Sequence, residues 1–272
     1  MSAFPSPLDL VELPFLRTAL FELGLLAATG GLIGTWIVLR RLAFFAHATG
    51  SVTFPGLVAA DASGVSPLIA GLAVALGYAG GVERARSSGR APGDTAVALL
   101  LVAALATGIV LASDVFHSSA SVDRLLFGTL LGLSAGDVAL SAAALVLALA
   151  GTLLLGRVWT AAAFDPAGAP ALRIPAVAPD LLLLALTATA AVATIPAVGA
   201  LLVSAFLVVP AATARLLAKS VPAMLAWGVA IAALEGLAGL YLAYWLDAPP
   251  GPAIAVLGSA TFLAASLTTA AR

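Results

Sequence analysis

Residues 40–56, RRLAFFAHATGSVTFPG, set His47, Thr49, Ser51 and Thr53 directly after an arginine pair in an otherwise apolar segment. His47 is one of only two histidines, and Ser51, four residues on, shares its face of a helix, with Thr49 and Thr53 on neighbouring faces. Imidazole commonly ligates zinc, manganese and iron, while hydroxyls and carboxylates suit harder cations, so this face has the chemistry to pass a metal ion. A single histidine beside a basic pair could equally be an interfacial residue held by a backbone carbonyl, because metal selectivity normally needs several defined ligands. The second histidine, His117 in SDVFHSSASVDR, reads as a solvated loop residue.

These residues belong to a chain built for lipid. Of its 272 residues 62% are hydrophobic and 9% charged, and the mean hydropathy is +1.15, far above a soluble domain. Runs such as LLLLALTATAAVATIPAVGALLV do not alternate polar with apolar as β-barrel strands do, so the spans are helices of about 20 residues. The expected fold is an all-α integral membrane protein, a polytopic bundle of 8–9 transmembrane helices in one domain over 1–272. Spans are expected near 17–39, 44–62, 65–82, 94–113, 137–157, 179–197, 199–217, 222–246 and 252–270. The segments 44–62, which is polar and contains Pro55, and 125–136, a candidate re-entrant turn, are the irregular ones, and such backbone survives at membrane depth only against protein or a water-filled cavity. The acidic N-terminal stretch lacks the basic start of a signal peptide, so the first apolar segment is expected to be retained.

Basic residues collect at Arg40/Arg41, Arg84/Arg86/Arg90, Arg157/Arg173, Arg215/Lys219 and Arg272, after alternate spans, which the positive-inside rule assigns to the cytoplasm with the N-terminus outside. Asp61, Asp114, Asp123 and Asp247 mark the opposite ends. Within the span 222–246, Gly228, Ala232, Glu235 and Gly239 form a stripe at helical spacing, whose small members read as helix packing. Glu235 near its middle is different. An ionisable group at that depth costs roughly 2.5–3.5 kcal/mol on insertion scales, so it reads as a cation ligand, a proton acceptor or a hydrogen-bonded packing residue. Pro210, inside another span, is expected to kink it and free a carbonyl.

Several functions are disfavoured. A net charge of −1 without a basic tail gives nucleic acid no footprint, and the absence of cysteine removes disulfides and thiolate ligands. No GxxxxGK[ST] motif is present and the sole lysine is Lys219, so the chain is not expected to be an enzyme or to hydrolyse ATP itself; no cofactor is expected on it.

Several stretches together resemble the membrane permeases of bacterial ATP-binding-cassette importers for zinc, manganese and iron. They are the 40–56 segment, GDTAVALLLVAALATGIVL from Gly93, VDRLLFGTLLGLSAGDV from Val122, AAAFDPAGAPAL from Ala161, VGALLVSAFLVVPAATARLLA from Val198 and GLYLAYWLDAPPGPAIAVL from Gly239. The resemblance implies a homodimeric pore in the bacterial cytoplasmic membrane, two cytoplasmic ATPase subunits that bind ATP, and an extracytoplasmic metal-binding protein that delivers zinc or manganese. In the family pattern an Arg-Arg pair precedes Asp, two residues, then Ser-His and Pro-Gly; here the Asp falls on His47, the Ser on Gly50 and the His on Ser51. One imidazole is kept and the negative charge is lost, which Glu235 or Asp61 would supply. The candidate metal residues are therefore His47 and Ser51, which the resemblance aligns, and Glu235 and Asp61, which are suggested by membrane depth and not by the alignment. The family's ATPase-coupling helix corresponds to about 161–175, with Phe164, Asp165, Pro166, Ala169, Leu172 and Arg173; Gly168 and Pro170 predict a short, irregular version. Two other functions compete: a cassette permease for a metal chelate or other small solute, and an ATP-independent transporter driven by Glu235 protonation.

Overall fold

A computed structural model describes residues 14–89, 93–115, 128–165 and 177–270. Among the described residues the regular structure is entirely helical: α1 Pro14–Leu39, α2 Ala43–Val52, α3 Phe54–Ser63, α4 Pro67–Ser87, α5 Gly93–Val110, α6 Ala135–Phe164, α7 Val177–Val198, α8 Val203–Leu217, α9 Val221–Leu246 and α10 Pro250–Ala270. Helices α2 and α3 run on as one span, Ala43–Ser63, so among the described residues eight helices are long and apolar enough to cross a membrane, with α8 a shorter apolar helix. Each expected span has its helix. The expected 199–217 span starts late, at Val203, because Gly199 takes a left-handed φ of 92° and the chain turns there before α8 can begin.

The break at Thr53 has a chemical origin. Pro55 has no N–H to give the preceding turn, and the ladder resumes only with Leu57 N–H donating to the Thr53 carbonyl at 3.1 Å. The Thr53 hydroxyl turns back to the Gly50 carbonyl at 2.7 Å. By contrast Pro210 lies inside α8 without ending it. Lacking an N–H, it leaves the Phe206 carbonyl free of its helical partner, and that carbonyl faces Gly30 on α1.

Helices α1 and α7 are the most buried of the spans, and α5, α6 and α10 the least. Lipid tails are as apolar as leucine, so close packing and polar contacts must hold the helices together. On α1 the packing is done by glycine. A Cβ on Gly34 would sit 2.0 Å from the Leu207 carbonyl oxygen of α8, and one on Gly31 would sit 2.3 Å from the Val229 nitrogen of α9. Gly228 of α9 answers Gly31 from the other side, and Gly239 receives Ile254 of α10, so the stripe read from the sequence is a packing face.

Farther along α1, Trp36 meets Trp159 of α6 edge to face with ring centroids 5.3 Å apart. Each indole is satisfied: Trp36 donates to Thr152 Oγ1 and Trp159 to the Pro179 carbonyl, both at 3.0 Å. The helix then closes in a turn with Arg41 at φ 56° and Leu42 N–H bonded back to the Ile37 carbonyl at 2.8 Å. Just before it, Arg40 Nη2 grips both carboxylate oxygens of Asp180 at 2.6 and 2.7 Å, tying the end of α1 to the first turn of α7.

Adding a methyl group tests the glycine contact. Gly34→Ala is expected to lower the thermal unfolding midpoint in detergent by the equivalent of at least the ~1–3 kcal/mol typical of overpacking, because the clash is with backbone. Gly77→Ala, where nothing lies within 4 Å of the new carbon, is expected to leave the midpoint unchanged or raise it slightly.

Candidate transport site

The polar residues of 40–56 divide between two faces of the α2–α3 span. Thr49 and Thr53 are fully buried, and their hydroxyls bond to carbonyls of their own helix, Thr49 to Phe45 at 2.8 Å and Thr53 to Gly50 at 2.7 Å. Back-bonding of this kind satisfies a hydroxyl in an apolar core and leaves it little capacity to hold an ion. His47 lies on the opposite, exposed face, with Ser51 partly exposed one turn farther on.

His47 has a partner that the sequence did not disclose. Its Nδ1 is 3.0 Å from Ser204 Oγ, in the first turn of α8. A hydroxyl can play either role in this bond. When Ser204 donates to Nδ1, Nε2 carries the proton; when Nδ1–H donates to Ser204, the Nε2 lone pair is free for a cation. Metal-binding histidines commonly have their second nitrogen held in this way. Helix α8 reaches His47 because Gly50 lets it: a Cβ there would stand 2.4 Å from the Ala200 carbonyl in the turn leading into α8. A serine at position 50, as in the family pattern, would push that turn away.

The remaining candidates sit elsewhere. Glu235 is buried on α9, where its Oε1 accepts the Thr261 hydroxyl of α10 and its Oε2 lies 3.0 Å from where a Gly258 Cβ would be. Asp61 is exposed near the end of α3. Among the described residues no three His, Asp or Glu side chains draw together as a metal would require, so His47, Glu235 and Asp61 do not form a single cluster here. Of the coupling segment, Phe164 ends α6 exposed and Asp165 caps it with its N–H on the Ala161 carbonyl at 2.8 Å. Pro166, Ala169, Leu172 and Arg173 lie outside the described residues, as does His117.

Glu22 of α1 was missed by the sequence reading, although the cost argument applied to Glu235 points to it equally. It is fully buried; Oε1 accepts the Ser141 hydroxyl of α6, and Oε2 has no partner among the described residues. One turn before Ser141 on the same face stands Asp137, locked into the start of α6 by a reciprocal cap with Ser134. Asp137 also lines a cavity of about 210 Å³ that extends past Thr129 and Pro196 to Thr53 at the α2–α3 break. The wall at Thr129 is fixed by its N–H bonding to the Pro196 carbonyl at 2.8 Å, and Leu130 is buried against α1. The described part of the candidate re-entrant segment is thus a short 3₁₀ turn, Leu130–Gly132, packed on α1 and α7.

A bundle of membrane-crossing helices with a polar face on its second span and an end-on cavity beside it has the architecture of a permease. The chain belongs to the ABC 3 transport family, whose model matches residues 12–269. It is 30% identical to the manganese transport system membrane protein MntC of Halalkalibacterium halodurans over 93% of this chain and 87% of that protein. It is 28% identical to the manganese import system permease protein ScaB of Streptococcus parasanguinis over 93% of this chain and 90% of that one. In fold it is similar to a chain of PsaBC from Streptococcus pneumoniae solved in complex with Fab, with a TM-score of 0.83 at 24% identity, covering 95% of this chain and 94% of that one.

The Glu235 contact yields a stability test. Glu235→Gln keeps an acceptor for Thr261 and is expected to unfold within about 0.5 kcal/mol of the parent. Thr261→Val leaves the carboxylate without its donor and is expected to cost about 1–3 kcal/mol, read by thermal unfolding in detergent.

Proposed function

We propose that this chain is the permease of an ATP-binding-cassette importer that moves a divalent transition-metal ion, manganese or zinc, inward by alternating access. The observation that carries this reading is the family match over residues 12–269, joined by relatives of near-equal length named for manganese transport. In this reading two copies form the pore in a bacterial cytoplasmic membrane, two separate ATPase subunits supply the energy, and an extracytoplasmic binding protein delivers the ion. The coupling contact falls at about 161–175.

The ion's path would run along the exposed face of α2. His47 Nε2 would ligate it while Nδ1–H rests on Ser204, and Ser51 would add a hydroxyl one helical turn on. So sparse a ligand set is suited to passage, since conduction needs binding strong enough to admit the ion and weak enough to release it. Asp61, on the same span, and Glu235, from α9, are the carboxylates proposed to supply the charge that the relatives' aspartate would bring.

Uptake of radioactive manganese and zinc into proteoliposomes holding the chain with its ATPase tests this. His47→Ala is expected to lower ATP-dependent uptake about tenfold or more, and Ser204→Ala to lower it less, chiefly by raising the half-saturating metal concentration. Full uptake by His47→Ala would remove the imidazole from the path. Glu235→Gln and Asp61→Asn locate the charge: a fall in one, with unchanged stability, assigns it to that residue, and no fall in either leaves the ion to His47, Ser51 and Ser204. An active ATPase with no uptake of either metal would shift the cargo to a chelate, for which an imidazole and two hydroxyls without a carboxylate are the better match.

A further inference from the structure

A second cavity, of about 250 Å³, lies at the arginine-rich end of the bundle, enclosed by the α1–α2 turn, α2, α4, α5 and α7. The positive-inside rule puts this end at the cytoplasmic surface. Its polar lining is Arg40, Arg41, Arg86 and Asp94. Of the other carboxylates nearby, Asp180 is committed to Arg40 Nη2, and Glu83 is buried in α4 within electrostatic reach of Arg40, Arg86 and Asp180. The lining itself carries three arginines and Asp94, with Arg40 already paired to Asp180.

Three features make this more than a group of surface arginines. Arg40 is held rigidly by Asp180, yet its Nη1 is buried with no hydrogen-bond partner among the described residues. A guanidinium N–H buried without an acceptor is costly, so the position calls for an oxygen that the described protein does not provide. Arg41, in the left-handed turn that ends α1, is exposed and also lines the cavity. Arg86 lies across the first turn of α5, its Nε 3.3 Å from where a Gly93 Cβ would be, so a side chain at 93 would crowd the guanidinium.

We propose that this cavity binds a phosphate-class oxyanion, the phosphate of an anionic phospholipid headgroup. Arginine forks match phosphate oxygens, and basic pockets between membrane helices on the cytoplasmic side are suited to such headgroups. Arg40 Nη1 and Arg86 hold the oxyanion, and Arg41 closes over it. The site is separate from the His47 face and does not depend on which cargo is carried.

The test is thermal unfolding of the full chain, purified in neutral detergent and titrated with phosphatidylglycerol, phosphatidylcholine, or inorganic phosphate against chloride at equal ionic strength. Phosphatidylglycerol is expected to raise the midpoint saturably and phosphatidylcholine much less. Arg86→Gln is expected to raise the half-saturating concentration about tenfold, the loss that goes with one hydrogen bond to a charged group. Arg84→Gln, outside this cavity, is expected to leave it unchanged. Saturable stabilisation by inorganic phosphate, weakened by Arg86→Gln and matched by no preference among the lipids, would keep the oxyanion site and make its ligand a soluble phosphate. Should Arg86→Gln fold poorly, Arg41→Gln, at an exposed position, gives the same reading. No stabilisation by any of the three, or stabilisation equal in the parent and both variants, overturns the proposal.

Discussion

The distance of closest approach between α1 and its neighbours α8 and α9 sets the geometry of the bundle. In water, burial of apolar surface would press these helices together; in lipid that force is absent, and contact must come from surfaces that fit. Gly31 and Gly34 bring the α1 backbone against a nitrogen of α9 and a carbonyl of α8, where a single methyl group would not fit. Gly30 adds a place for the Phe206 carbonyl that Pro210 leaves without a helical partner. From this seam α1 extends toward Trp36 and Arg40, which fix α6 and α7. The same seam fixes α8, which delivers Ser204 to His47.

Polar groups in this protein fall into two kinds. Most hydroxyls are silenced locally: Thr29, Thr35, Thr49, Thr187 and Thr194 each bond a carbonyl one turn back in their own helix. The exceptions reach between helices, as in His47–Ser204, Glu22–Ser141, Glu235–Thr261 and Arg40–Asp180. Each of these joins two segments, and the interhelical hydrogen bond is the kind of polar contact expected to hold helices together in lipid.

The helical class and the positions of the spans were legible because they follow from local composition: an apolar run of about 20 residues has few alternatives in a bilayer. The irregularity of 44–62 was legible too, since Pro55 acts on its own immediate neighbours. The late start of α8 was not, because the left-handed Gly199 that delays it carries no apolar or polar signal. Ser204 was hidden for a different reason. It stands 157 residues from His47, and one chain holds no information on which of its many serines will meet a given imidazole. Glu22 could have been found from its depth alone; only its pairing with Ser141 needed the fold.

The contact of Gly50 with Ala200 ties the His47 face of α2 to the turn that leads into α8. The glycine at 50, the histidine at 47 and the serine at 51 occur together with a tight turn into α8. Any side chain introduced at 50 would collide with the Ala200 carbonyl. The positions of this segment are therefore unequally open to change. Substitutions at 47 and 51 are open independently, but any change at 50 waits on a loosening of the turn before α8.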